Sequence, residues 1–223
     1  EIIKNIRKLD TIMSRTDLKN EAKRKLGLHT MPAILLFGLP TLILIFLNSQ
    51  NAYNTLIAMQ TGQPIYNLWL GPIVIIIDLI LVFVSLMFLE YSRSQNPNDL
   101  SFKRLGEWLT GEDTFVYVKV YLLQVLYLFL WSLIPIAGIF FVINRSYAYR
   151  MAIYVAYDER ITKAKDAIER SKTLMEGQKF DLFMLDLSFI GWYILSGLTG
   201  GLVGFYVSPY VQLAEIEFYE MIH

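Results

Sequence analysis

The chain contains no cysteine and two histidines, His29 and His223, far apart in sequence. Without thiols, disulfides, thiol nucleophiles and Cys-ligated zinc or iron–sulfur sites are excluded. Two distant imidazoles exclude a His-rich metal site as well. Charge is also scarce: Asp, Glu, Lys and Arg make up 18% of the residues, against ~25% in an ordinary soluble domain. The 20 basic residues balance the 20 acidic ones, so no basic excess points to nucleic acid. Nor does the chain carry the phosphate-binding GxxxxGK[ST], the nucleophile elbow GxSxG, HExxH or the dinucleotide-binding GxGxxG. No catalytic residue, metal or cofactor is expected from these patterns.

Apolar sequence is abundant. Hydrophobic residues reach 55% and the mean hydropathy is +0.43, which points to a membrane protein. The first thirty positions hold no signal-peptide core, because Lys4, Arg7, Lys8, Arg15, Lys19, Lys23, Arg24 and Lys25 interrupt them. A hydrocarbon layer of ~30 Å takes ~20 helical residues. Met31 to Asn48 is nearly that long and Leu68 to Leu89 is a full span. As a single helix, Thr114 to Tyr157 would reach ~66 Å, about twice the layer, so it must fold back. Pro135 and Gly138 stand at its centre, as Gly197, Gly200, Gly201 and Gly204 stand in Leu182 to Ile222. The expected fold is all-α, with six transmembrane helices arranged as three hairpins. Its segments are a basic cytoplasmic amphipathic stretch (1–30), a first hairpin (31–89), a cytoplasmic connector (90–113), a second hairpin (114–157), a cytoplasmic amphipathic helix (158–181) and a third hairpin (182–223).

Lysine and arginine support the same count, because cytoplasmic loops are enriched in them. They populate the first thirty residues, Glu90 to Asp113 and Asp158 to Asp181, and are missing from Ser49 to Asn67 and from both later tips. That alternation places both termini in the cytoplasm of a cell whose membrane the chain crosses repeatedly. Trp69 and Trp131 fall near the outer boundary, where amphipathic rings favour the headgroups. Trp131, Gly138 and Tyr147 are echoed by Trp192, Gly201 and Tyr210, which suggests duplicated hairpins.

Shorter amphipathic pieces lie between the spans. In Arg160 to Glu176, Ile161, Ala164, Ile168, Ser171 and Met175 share one face, and Gly177 is a C-terminal stop. Ser14 with Asp17 fits a capping box, and Leu105, Trp108 and Leu109 suggest a third interfacial helix. Such pieces serve as anchors to anionic lipid or as docking surfaces for a membrane or cytoplasmic protein partner.

The stretch around Ser171, Met175, Gly177 and Lys179, running into Leu185-Asp186-Leu187-Ser188-Phe189-Ile190-Gly191-Trp192, resembles a family of bacterial integral membrane proteins catalogued as domain of unknown function nine-seven-five. Trp131-Ser132-Leu133-Ile134-Pro135 with Tyr147, then Pro209-Tyr210 and Phe218-Tyr219, is similar to the same family, as is the basic start from Ser14 to Leu26. Ile136 and Ala137 separate Pro135 from Gly138, where the family often has Pro and Gly adjacent. The resemblance implies a multi-pass protein of the cell membrane and brings no activity. It implies a distant similarity to the membrane domain attached to some glycerophosphodiester phosphodiesterases, where catalysis belongs to another domain.

Charges inside a bilayer are expensive and therefore informative. Asp78 and Arg145 fall at similar depth, ~14 to 15 Å from the outer end by helical rise, and are expected to pair or to share a wet cavity with Asn144, Tyr147, Tyr149, Arg150 and Tyr210 near it. Such a pair is either a ligand site or a structural clamp between helices. Lys119 is placed to snorkel to the headgroups. Asp186 reads as a helix cap or a lure for a basic partner, while Glu215, Glu217 and Glu220 could meet Arg150, Lys119 or the basic surface helix. The expected function is a non-catalytic module that binds or helps move a lipid, an amphipathic peptide or a partner protein. The alternatives are a small secondary transporter using Asp78 and Arg145, and an enzyme acting on lipid headgroups through Asp186, Arg150 and the terminal glutamates.

Overall fold

The computed structural model describes residues 14–63, 70–134 and 137–223. Among them every regular element is helical. The expectations placed on Trp69 and Pro135 lie outside the described residues.

Helix α1 (Arg15–Leu28) starts with the expected capping box. The Ser14 hydroxyl accepts the Asp17 amide at 3.2 Å, and the Asp17 carboxylate accepts the Ser14 amide at 3.0 Å. Those two bonds hold the Asp17 carboxyl below its usual range. Leu18, Ala22, Lys25 and Leu26 form the buried face.

Helix α2 (Thr30–Thr61) is longer than the expected span. Its second turn widens to a π-helix over Ile34–Gly38, where the Leu39 amide reaches back to the Ile34 carbonyl. Pro40 explains the widening: its ring clashes with the carbonyl four residues earlier, and an extra residue in the turn makes room. The helix ends only at Gly62, at φ +68°. The connection expected at Ser49 to Asn67 is therefore helical as far as Thr61. It mixes polar residues with Leu56, Ile57 and Met59, and no glycine or proline breaks the backbone until Gly62.

Helix α3 (Leu70–Ser94) buries its second half, including Phe83, Met87, Phe88 and Tyr91, at the centre of the core. A 3-10 turn at Pro97–Asp99 and helix α4 (Phe102–Thr110) lead to α5 (Thr114–Ser132). Then α6 (Ala137–Tyr149) and α7 (Ala152–Asp158) are separated by a turn at Arg150 and Met151. Helix α8 (Ala164–Leu174) buries Ala167, Ile168 and Ser171 against α5, α6 and α7 and ends at Leu174, with Gly177 at φ +80° in the turn that follows. Helices α9 (Lys179–Leu187) and α10 (Ile190–Leu198) are bent by 42°. Gly200 and Gly201, at φ +62° and +95°, make the turn into α11 (Leu202–Ile222).

By length and composition α2, α3 and α5 could each cross a membrane, and α9 with α10 would make a fourth crossing. The segments expected as the fourth and sixth spans are broken or more polar. The α6–α7 stretch breaks at Arg150, and α11 carries Glu215, Glu217 and Glu220. Large apolar side chains stand exposed along the outside, among them Phe46, Phe129, Phe140 and Leu198 at 57–80%. An apolar surface this extensive is rare on a soluble monomer. Helix α11 is the central post, packed on α1, the π turn of α2, α3 and α10.

Candidate functional site

Asp78 and Arg145 take separate partners. The Asp78 carboxylate accepts the Tyr121 hydroxyl at 3.1 Å, while the Arg145 guanidinium lies 5.2 Å over the Trp131 ring. Among the described residues no ion pair joins them. The expected pairing is thus corrected, and the packing explains why. Helix α6, which carries Arg145, packs on α5, α8 and α9, and α5 offers Tyr121 to Asp78 and Trp131 to Arg145.

Three of the expected cavity residues also turn elsewhere. Asn144 accepts Lys179 Nζ at 2.9 Å. Tyr149 is buried under Lys172, with its backbone carbonyl bonded to Gln124. Tyr210 packs edge-on against Phe189.

Arg150 is the hub of a different cluster. At the turn between α6 and α7, its Nη1 lies 2.7 Å from Asp186 of α9, and its Nε and Nη2 lie 2.8 and 2.6 Å from Oε2 of Glu215 on α11. Tyr147, one helical turn before Arg150, donates to Asp186 at 2.9 Å. Asp186 is therefore a partner for Arg150 and Tyr147 and not a helix cap.

This cluster closes one end of a cleft of about 240 Å³ between α2, α10 and α11. Phe37, Ile45, Val207 and Val211 give it apolar walls, and Trp192 and Tyr193 stand in it at 42% and 48% exposure. Arg150, Gln212, Glu215 and Ser208 supply the polar lining. The Ser208 hydroxyl is buried without a hydrogen-bond partner among the described residues. Both contacts from Arg150 fall on Glu215 Oε2, and Oε1 accepts no hydrogen bond among those residues. Two small residues keep the cleft narrow. A β-carbon on Gly204 would stand 2.6 Å from Ser196 Oγ, and one on Gly201 would stand 2.9 Å from Ile45.

A second, buried ion pair ties α1 to the core. Lys25 Nζ lies 2.6 Å from Glu217 and 2.9 Å from Ser92, whose hydroxyl also donates to Glu217. A third network joins Arg93 to Asp158 in two bonds of 2.6 Å and to Glu220, with Tyr219 donating to Asp158. The three late glutamates thus meet Arg150, the basic helix α1 and Arg93 in turn. Among the described residues no group of three metal-ligating side chains occurs.

The sequence reading found Arg150 and Tyr147 and missed Ser208 and Gln212 as site residues. Their signal is spacing: Ser208, Gln212 and Glu215 recur at four and three residues, a polar stripe on an apolar helix.

Helices with a broad apolar exterior and a cleft with a polar end define a class of candidate membrane modules. The chain belongs to the family described as "Protein of unknown function (DUF975)", which matches residues 68–223. The match includes Arg150, Asp186 and Glu215, while α1 and the cleft wall on α2 precede it. No curated protein and no solved structure matches the chain.

Proposed function

We propose that the protein is a multi-pass module of the bacterial cytoplasmic membrane that binds, or helps move, an amphiphile in the cleft between α2, α10 and α11. In this reading the chain crosses the bilayer six times as three hairpins, with both termini in the cytoplasm. Support comes from the exposed apolar belt, the glycine turn at 199–201, and the alternation of basic and neutral connections. One observation carries the ligand assignment: an apolar cleft ends on a charged cluster whose Glu215 Oε1 and Ser208 hydroxyl lack partners among the described residues. Pockets of mostly apolar lining with a few placed polar groups are the usual form of small-molecule sites. Membrane lipid is the nearest source of an occupant, with its head at Arg150 and Glu215 and its chain along Ile45 and Trp192. Transport through Asp78 and Arg145 as one site gains no support from their separate partners.

The test is retention of lipid by protein extracted in mild nonionic detergent. Wild type should keep about one amphiphile per chain, and Thr41→Phe, whose ring enters the cleft from α2, should keep none while a cooperative unfolding transition shows it folded. Equal retention by both proteins contradicts the reading.

A further inference from the structure

The charges around Arg150 do not cancel. One guanidinium faces two carboxylates, Asp186 at 2.7 Å and Glu215 at 2.6 Å, and no other cation lies within 4.0 Å of either among the described residues. The nearby cation on α1, Lys19, bonds instead to the Ser188 carbonyl and lies over the Phe189 ring. The surplus is negative, and it falls on the side that meets the cleft. Asp186 is satisfied by Arg150 and Tyr147, whereas Glu215 lines the cleft with Oε1 unbonded among the described residues. Trp192 and Tyr193 line the same cleft. An open carboxylate oxygen in one cleft with two aromatic rings is the combination that favours an ammonium group, through charge pairing and through the ring faces.

Resting on the amphiphile reading above, we propose that the cleft selects amphiphiles with a cationic head, an ammonium group borne by a single apolar chain or by a lipid. Ammonium enters beside Glu215 Oε1, and its charge offsets the surplus carboxylate. The chain lies between Ile45, Val207 and Trp192. An anionic head would meet Glu215 at close range and is disfavoured by like-charge repulsion, even with Arg150 present, because Arg150 already serves both carboxylates.

The experiment uses the full chain in a nonionic micelle and native mass spectrometry, with dodecyltrimethylammonium and dodecyl sulfate as probes of equal chain length. The chain's formal net charge of +0 gives neither probe a bulk advantage. Wild type should hold one dodecyltrimethylammonium at least tenfold more tightly than dodecyl sulfate, Glu215→Gln should erase the preference, and Glu176→Gln on the exposed end of α8 should keep it. Should Glu215→Gln fail to fold, Trp192→Leu replaces it and must lower the preference severalfold. Binding of both probes equally by wild type overturns the cationic selectivity and leaves the amphiphile reading standing. Absence of a one-to-one adduct with either probe overturns both.

Discussion

Gly38 of α2 lies directly against the backbone carbonyl of Phe205 on α11, so that a β-carbon at Gly38 would overlap that oxygen. The same carbonyl is the one that Pro209 leaves without its helical donor, since proline has no N–H to offer four residues on. A missing side chain on one helix and a missing amide on the other let the two backbones meet. The contact sits one turn below the cleft lining at Thr41 and fixes the separation of two of its walls.

Gly38→Ala must push α2 away from α11, because backbone and not a mobile side chain occupies the space. A loss of about 1–3 kcal/mol is expected, the usual cost of overpacking, read as a lower unfolding midpoint in detergent. Gly106→Ala is the control: its β-carbon meets nothing within 4 Å, and alanine is the better helix former by up to about 1 kcal/mol. Equal midpoints for both variants would show that the α2–α11 contact is not needed.

Lys25 and Glu217 are buried together at 9% and 7% side-chain exposure. Lys25→Met leaves a carboxylate without its cation and should cost about 3–5 kcal/mol, whereas the double variant Lys25→Met with Glu217→Met should recover most of the loss. Limited proteolysis within α1 together with the unfolding midpoint reads both steps. Additive losses in the double variant would contradict a coupled pair.

At the start of α1, Ser14→Ala removes the cap and should cost about 1 kcal/mol. The pH dependence has a definite sign. Asp17 is depressed by its bonds to Ser14, so its contribution is present above the unfolded value near 3.8 and fades as pH falls through the lower folded value. Wild type should lose α1 protection in hydrogen exchange over that acid window, and Ser14→Ala should show a smaller change there.

Because the chain has no cysteine, single cysteines can map its orientation without background. Gln63→Cys, Leu133→Cys and Thr199→Cys should react with an impermeant maleimide on intact cells. Glu112→Cys and Glu176→Cys should react only after permeabilisation. Labelling of either of the last two on intact cells overturns the three-hairpin topology.

The breaks at Arg150 and at Ser188 carry neither glycine nor proline and were not legible in the sequence, whereas the turn at Gly200 and Gly201 was, because glycine admits positive φ. The Ser14 cap and the buried face of α8 were legible for equally local reasons. Length was misread where single polar residues stood in for geometry: Asn51, Asn54 and Gln60 interrupt the apolar run, yet the helix continues to Gly62. Partnership was the harder inference. Helical rise assigned Asp78 and Arg145 a similar depth and their charges are opposite, yet depth along a helix does not state which helix is the neighbour, and α5 supplies partners to both. Arg150 found Asp186 and Glu215 across three elements, a meeting that no spacing within one helix encodes. The stripe of Ser208, Gln212 and Glu215 was written in the sequence at helical period and becomes meaningful only once α10 and α2 stand opposite it.

The most direct test of the account is an experimental structure of the full chain in lipid nanodiscs. The expected result is an elongated density between α2, α10 and α11, with its polar end within hydrogen-bond distance of Glu215 and its chain beside Trp192. A cleft closed by contact of its walls, or one opening to water away from the lipid belt, contradicts the account.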